Sequence, residues 1–279
     1  MTGITTNASG LTLNRVTPVI LTYNESANIA RTLESVRWAE SVVVLDSGSQ
    51  DETKQIAAGY PNVRWFERAF DTHQAQWEHA VRNTGINSEY VLALDADMEV
   101  PDAFMQELRD SFLPGEFAGA DVPFIYSYYG RPLAGSLYPN QIRIFRTKAV
   151  TITQVDHTQH FAVAGPVYKF RNRLIHDDRK PLERWVAAQL SYQLLNDDAV
   201  TGNGGDIRKG RFKYSLRRAG IMPPLVGLIA YLRSGGPFGG AASARYAYER
   251  MVCEGLLAIR LMNGRMKAKE QNVRDSRNN

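Results

Sequence analysis

Apolar and polar positions change rhythm along this chain of 279 residues. Through the first 110, short apolar runs alternate with stretches in which apolar residues recur every three or four positions. Val16 to Thr22 (Val-Thr-Pro-Val-Ile-Leu-Thr) is a run of the kind that a strand buried in a parallel sheet needs. Behind it, Ile29, Leu33 and Val36 fall at i, i+4 and i+7, on one face of a helix. Val42 to Leu45 repeats the strand pattern, and Ser49 followed by Glu52 predicts a capping box that opens a second helix. Val63 to Phe66 and Tyr90 to Leu94 predict two further strands, with a helix over His73 to Arg82 between them. This alternation predicts an α/β fold with a mostly parallel, Rossmann-like sheet flanked by helices.

Ligands of such sheets bind beyond the carboxyl ends of the strands. Three places are selected by that rule: Thr22 to Glu25, Asp46 to Asp51, and Asp95 to Glu99. All three are polar or acidic clusters directly after apolar runs.

From about residue 115 the pattern is mixed. Gln141 to Phe145 and Phe161 to Val163 predict strands, and Leu174-Ile175 ends another, running into His176-Asp177-Asp178. Pro181 opens a helix through Trp185, Leu190 and Leu194. A loop from Thr201 leads to a basic region, then to the apolar stretch Ile221 to Leu232. Ala241 to Met262 predicts a long helix with Tyr248, Val252, Leu256 and Ile259 on one face, a stripe expected to pack on the rest of the protein. Met266 to Asn279 is polar and charged, and is expected to fray.

Charge divides the chain. Residues 1–110 carry 16 acidic and 8 basic side chains, residues 111–279 carry 13 and 25, and residues 201–279 alone hold 5 and 15. An acidic front and a basic back imply two different tasks. A single cysteine, Cys253, excludes an internal disulfide, fits a reducing compartment and is expected to be a packing residue. Met1 to Gly10 has neither the basic start nor the apolar core of a signal peptide. The longest mostly apolar uncharged run, Ala219 to Leu232, is fourteen residues and holds two prolines, whereas a span takes about twenty. The expected location is therefore cytoplasmic.

Asp95-Ala96-Asp97 carries the sharpest chemical signal. On an extended segment, side chains two apart point the same way, so both carboxylates can reach one point. Like charges so placed repel unless a cation lies between them, and Mg²⁺ or Mn²⁺ prefers such oxygen ligands together with substrate phosphates. A pair of solvated turn acids is the plainer alternative, and the position after a buried strand, beside two other polar strand ends, weighs against it. For Asp46 and Asp51 the plainer alternative is turn and cap chemistry, because Asp-Ser-Gly-Ser is good turn sequence.

Three segments carry a family likeness: Thr17-Pro-Val-Ile-Leu-Thr-Tyr-Asn-Glu25, Val43-Val-Leu-Asp-Ser-Gly-Ser-Gln-Asp-Glu-Thr53 and Leu92-Ala-Leu-Asp-Ala-Asp97. In order and spacing they resemble the opening motifs of family 2 glycosyltransferases, of GT-A fold. The resemblance implies that Thr22, Asn24, Glu25 and Asp46, with Asp51 nearby, contact the base and ribose of a nucleotide-sugar. It also implies that Asp95 and Asp97 hold Mg²⁺ or Mn²⁺ on the diphosphate. In many GT-A enzymes a late His or acid completes the metal shell, and an acid at a helix start deprotonates the acceptor. That pattern assigns His176 to the metal and Asp177 or Asp178 as general base. The chain has His-Asp-Asp where the family's base motif is usually Glu-Asp, which leaves the base open. Asp156-His157-Thr-Gln-His160 is the rival segment, and Asp178 with Arg179 has a second reading as a helix cap. Arg143 and Arg146 could pair with diphosphate or line an amphipathic strand.

His176-Asp-Asp-Arg-Lys-Pro-Leu-Glu-Arg-Trp185 more loosely resembles the β-glucosyltransferases of lipopolysaccharide core assembly. That likeness implies an inverting single displacement from a UDP-sugar to a hydroxyl of a glycolipid or envelope saccharide. It divides the chain into a catalytic domain over 13–196 (nucleotide half about 13–112, acceptor half about 113–196) and a basic helical extension over 197–279. Arg208, Lys209, Arg211, Lys213, Arg217 and Arg218 precede the apolar Ile221 to Leu232 stretch. Each base near an anionic surface contributes about 1 kcal/mol, so this pairing predicts peripheral contact with the inner face of a membrane. Nucleic acid is not expected, because no aromatic stacking platform lies among the bases. A nucleotidyltransferase is disfavoured, since Tyr23-Asn-Glu-Ser stands where that class has a Gly-rich basic loop. A non-catalytic scaffold with a degenerate pocket is the rival from another class.

Overall fold

The computed structural model describes residues 13–155, 158–195, 215–217 and 219–278. Two compact units divide the chain: residues 1–132 with 138–180, and residues 133–137 with 181–279.

In the first unit the apolar runs become a seven-stranded sheet. Its strands are β1 (Val16–Thr22), β2 (Val42–Asp46), β3 (Val63–Glu67), β4 (Tyr90–Asp95), β6 (Gly119–Val122), β9 (Gln141–Arg146) and β12 (Val167–Lys169), in the order β12-β6-β9-β4-β1-β2-β3. Only the two pairings of β9 are antiparallel; β12–β6, β4–β1, β1–β2 and β2–β3 run parallel. Alternate residues feed two cores, as strand periodicity requires. Ile20, Val42, Val44, Leu92 and Leu94 pack with Ile29 and Leu33 of α1 (Ile29–Ser35), Ala57 of α2 (Thr53–Ala57) and Phe104 of α4 (Asp102–Glu107). Val19, Val43, Leu45, Val91 and Ala93 meet Trp77, Ala80 and Val81 of α3 (His73–Arg82) on the other face. The hairpin β10 (Val150–Val155) and β11 (Thr158–Val163) closes that second core through Ile152 and Phe161. A smaller sheet of β5 (Met98–Glu99), β13 (Leu174–His176), β7 (Phe124–Tyr128) and β8 (Arg131–Pro132) completes the unit.

The expected capping box does not form. Helix α2 begins at Thr53, and the Ser49 hydroxyl donates to Asp46 instead, 2.5 Å away. The local turn claimed the serine before a helix could, which is the competition that favours such residues in turns.

The second unit contains α5 (Leu182–Leu195), α6 (Met222–Arg233) and α7 (Gly240–Asn278). The division falls at Pro181, ahead of α5, whereas the family likeness set it at residue 196. Helix α7 runs on to Asn278, where the composition predicted fraying. Its buried face is Tyr246, Leu257, Ala258 and Leu261. The expected packing stripe is on the outside: Tyr248 is 64% exposed, and Val252 and Ile259 are also exposed. Periodicity alone marked one apolar face, but small residues decide the packing, with Gly227 of α6 approaching Met251 and Ala247 of α7. Cys253 is half-buried and its Sγ lies 3.0 Å from Gln189 Oε1, as expected of a packing residue. No helix among the described residues is long and apolar enough to cross a membrane. Most of the basic run, namely Arg208, Lys209, Arg211, Lys213 and Arg218, lies outside the described residues. Arg217 pairs with Glu254 at 2.8 Å.

Candidate active site

Parallel register brings three strand ends level. Thr22 lies opposite Asp46, and Leu21 opposite Asp95. The two loops that follow β1 and β2 are laced together. Asn24 takes a left-handed backbone (φ 52°), a conformation asparagine tolerates better than most residues. There its N–H donates to Ser49 Oγ at 2.7 Å and its side-chain oxygen accepts from Gln50 N–H at 2.7 Å. Glu25 N–H donates to Thr53 Oγ1 at 2.7 Å, and Ser26 N–H to Asp51 at 3.1 Å. Asp46 is buried and folds its own turn, accepting from Gly48 N–H (3.0 Å) and Ser49 N–H (2.7 Å). Gly48 (φ 90°) supplies a backbone that a side chain would strain. Asp51 accepts from the N–H and the hydroxyl of Thr53, the first residue of α2. Burial works against its ionised form, but these hydrogen bonds keep its carboxyl below the ordinary value. Thr22 Oγ1 is buried without a protein partner.

Asp95 and Asp97 do not share one partner. The strand ends at Asp95, and the chain turns through Ala96 and Asp97 before β5, so the two-residue strand repeat no longer governs their side chains. Asp95 pairs with the buried Arg143 of β9 at 3.1 Å. Burial would raise the Asp95 carboxyl, yet the Arg143 charge and hydrogen bond hold it below its ordinary value. Arg146 is at the other end of that strand pair, opposite Tyr90 and 3.2 Å from Glu89, so of the two candidate arginines only Arg143 belongs to the site. Thr32 of α1 donates its hydroxyl to Ala96 O at 2.6 Å and buttresses the turn from below.

Pairing of β5 with β13 sets His176 opposite Met98, one residue beyond Asp97. His176 Nε2 is 3.5 Å from Asp97 Oδ1, and its ring lies against Tyr126 at 4.5 Å between centroids. Asp97 Oδ1 and His176 Nδ1 are both buried with no hydrogen-bond partner. Such groups cost about 1–3 kcal/mol each when left unmade.

The two acids after His176 have opposite surroundings. Asp177 is 1% exposed, and its carboxylate accepts from Tyr129 N–H (2.9 Å), Gly130 N–H (2.9 Å) and Arg179 Nε and Nη2 (3.0 and 2.7 Å). Its N–H donates to Asp97 O and its carbonyl accepts from Arg31. Both carboxylate oxygens, the N–H and the carbonyl are thus all engaged. Asp178 is partly exposed and accepts from Asn28 Nδ2 and Lys180 N–H, each at 3.0 Å, with Lys180 Nζ 3.3 Å from Oδ2. Burial would raise its carboxyl, but Lys180 and Asn28 hold it low, so it is ionised near neutrality.

Lys180 went unread in the sequence. Its ammonium is largely buried, 2.6 Å from Glu25 Oε1 and 3.8 Å from Asp97 Oδ2 besides Asp178. Burial would lower the Lys180 amine, but the charges of Asp97, Glu25 and Asp178 raise it above the ordinary lysine value. Burial, and then the Asp97 charge, push the Glu25 carboxyl up to about 7 against the pull of Lys180. The one available signal was a basic pair, Arg179-Lys180, directly after an acid pair at a strand end. Asn28, which joins Glu25 to Asp178, left no such mark.

The fold therefore gathers Thr22, Glu25, Asp46, Asp95, Asp97, His176 and Asp178 about the strand ends, while Asn24, Asp51 and Asp177 hold loops. Asp156 and His157 lie outside the described residues, and His160 is exposed on β11. Among the described residues no group of three His, Cys, Asp or Glu side chains is arranged to hold a metal. Asp97 Oδ1, buried and without a hydrogen-bond partner, is a carboxylate oxygen of the kind that binds Mg²⁺ or Mn²⁺, and the ring nitrogen that faces it is His176 Nε2, 3.5 Å away. Such ions take one or two carboxylates and draw the rest of their shell from phosphates and water.

The family described as "Glycosyl transferase family 2" matches residues 17–169. Glycosyltransferase AglE of Haloferax volcanii is 35% identical over 133 residues, 41% of each chain, so the match spans less than half of that relative's length. Among solved structures, S. aureus TarS 1-349 in complex with UDP-GlcNAc is 14% identical with TM-score 0.49, covering 86% of this chain and 90% of that one. Glucosyl-3-phosphoglycerate synthase from Mycobacterium tuberculosis, in complex with Mn²⁺, UDP and glucosyl-3-phosphoglycerate, is 15% identical with TM-score 0.41, covering 66% and 81%.

Proposed function

Because this chain belongs to glycosyl transferase family 2, we propose that it transfers a hexose from a UDP-sugar to a hydroxyl of a glycolipid or envelope saccharide, with inversion. The observation that carries this reading is Asp97 Oδ1, buried and unpartnered beside His176 where the ends of β1, β2 and β4 lie level. Thr22, Glu25 and Asp46 line the nucleoside side of those ends, and Arg143 steadies Asp95.

Asp97 and His176 would hold Mg²⁺ or Mn²⁺, which when bound offsets the charge gathering on the leaving diphosphate. Asp178 is the general base: it is ionised, partly exposed and held by Asn28. In a single displacement the acceptor oxygen forms its bond to sugar C1 as the C1–O bond to the diphosphate breaks. The acceptor proton passes to Asp178, and the nucleoside diphosphate departs. Asp177 serves by position, holding the β7–β8 turn, Arg179 and the Asp97 carbonyl in one arrangement.

The acceptor reading rests on the second unit. Ile221, just before α6, and Leu225, Leu228, Ile229 and Leu232 along it repeat at helical spacing and all are exposed, and Phe238, just beyond, is 98% exposed. An exposed apolar stripe preceded in sequence by six bases suits an anionic bilayer surface, where a lipid-linked acceptor would be found.

Calorimetric titration of UDP and GDP, with Mn²⁺ and with EDTA, tests the donor site. Metal-dependent UDP binding that disappears in Asp97→Ala is expected. Absence of binding by either nucleotide with Mn²⁺ present would overturn the reading and leave a scaffold as the better account.

A further inference from the structure

Lys180 is a buried cation where the metal reading wants one. Its ammonium is shared by Glu25 at 2.6 Å, Asp178 at 3.3 Å and Asp97 at 3.8 Å. These carboxylates come from the loop after β1, the turn after β4 and the segment after β13, so one side chain ties together three separate parts of the site. On the carboxylate of Asp97 the two oxygens differ: Oδ2 faces Lys180, while Oδ1 faces His176 and has no hydrogen-bond partner.

We propose that Lys180 is the resident counter-cation of this site, and that its charge keeps a divalent ion from entering until a nucleoside diphosphate enters with it. The inference rests on the donor-site reading above. Three carboxylates this close would, without Lys180, draw a divalent ion, because like charges so close demand a cation. Lys180 already supplies one positive charge. A divalent ion entering alone meets that charge a few ångströms away and gains only the partly neutralised acids. A diphosphate brings the negative charge that makes both cations welcome at once. Metal and nucleotide binding are then positively coupled, and the coupling is reciprocal.

The measurement is Mn²⁺ binding to the full chain without nucleotide, read by the electron paramagnetic resonance signal of free Mn²⁺. It is made on the wild type, Lys180→Met, Lys180→Arg and the double variant Lys180→Met with Asp97→Ala. The wild type and Lys180→Arg are expected to bind Mn²⁺ weakly alone, and Lys180→Met about tenfold or more tightly, from removal of one nearby unit charge. The double variant is expected to lose that gain. The same samples, titrated with UDP, are expected to show that Mn²⁺ raises UDP affinity in the wild type and that UDP without metal binds more weakly to Lys180→Met than to the wild type.

If Lys180→Met binds Mn²⁺ no better than the wild type, Lys180 is only a clamp between loops and the proposal fails, whatever its melting temperature does. It fails equally if the wild type alone binds Mn²⁺ as tightly as Lys180→Met. Should Lys180→Met not fold, lack of coupling between Mn²⁺ and UDP in the wild type overturns the proposal by itself. Loss of the donor-site reading looks different: the wild type then binds no nucleotide under any condition.

Discussion

Asp177 and Asp178 are adjacent acids that the sequence leaves interchangeable, and the structure predicts that their removal has opposite consequences. Asp177→Asn replaces a carboxylate oxygen by an amide that points N–H at N–H. Two backbone donors, from Tyr129 and Gly130, and the Arg179 guanidinium compete for what remains. Breaking a buried ion pair from one side costs about 3–5 kcal/mol. Arg179 is about a third exposed, so water recovers part of its share, and a loss near 3 kcal/mol is expected rather than the sum of four bonds. Asp178→Asn keeps its size, remains partly exposed and gives up only its charge toward Lys180, so about 1 kcal/mol or less is expected. Activity should divide the other way. Loss of a general base lowers turnover by about 10²–10⁴, whereas a folded Asp177 variant should keep much of its rate at low temperature. Urea titrations at constant slope give the stabilities, and UDP release from a UDP-sugar gives the rates. If Asp177→Asn is as stable as the wild type but inactive, or Asp178→Asn is fully active, the assignment of base and brace is wrong.

Further outcomes follow from the same geometry. Glu25 keeps its proton up to about pH 7 in the folded protein but only to its ordinary 4.5 when unfolded. Over that window the unfolded chain releases a proton that the folded chain retains, so the Glu25 contribution to stability falls as pH rises from 4.5 to 7 and is flat above. Urea midpoints of wild type minus Glu25→Gln, measured across pH 4.5–8, should show that slope, and a constant difference would refute it. Asp97→Asn removes the charge that helps raise Glu25, so a carboxyl ¹³C titration should show the Glu25 midpoint moving down; an unmoved midpoint would mean that Asp97 does not act on it. Arg143→Met should let the Asp95 carboxyl rise and weaken UDP binding about tenfold in calorimetry, from the lost screening of one acid beside the diphosphate; unchanged affinity would remove Arg143 from the site. Leu228→Glu with Leu232→Glu should abolish flotation with anionic vesicles while UDP binding persists, since each buried leucine contributes about 1.5–3 kcal/mol; retained flotation would exclude the α6 face as the contact.

What could be read from the sequence was what local chemistry dictates. Strands buried on both faces need unbroken apolar runs, so β1, β2 and β4 were legible to within a residue or so, as were the half-exposed edge strand β3 and α3 over His73–Arg82. The rule that ligands gather at strand carboxyl ends then marked Thr22, Asp46 and Asp95 without any coordinates. Long-range pairing was not legible. That β5 pairs with β13, carrying His176 to Asp97, depends on residues almost eighty positions apart, and nothing in either short segment announces it. Competition for partners was equally hidden. Ser49 looked like a cap and became a turn donor, Asp177 and Asp178 looked alike and differ by burial, and Arg143 and Arg146 were parted only by which end of β4 each meets. The Tyr248 stripe went outward because helix packing follows small residues as well as apolar ones. Lys180 shows the limit most directly: one charge becomes the hub of Glu25, Asp97 and Asp178 only once the chain has folded three distant loops around it. A sequence fixes which groups are present and how they repeat, while the tertiary structure decides which of them share a few ångströms, and electrostatics acts over that distance.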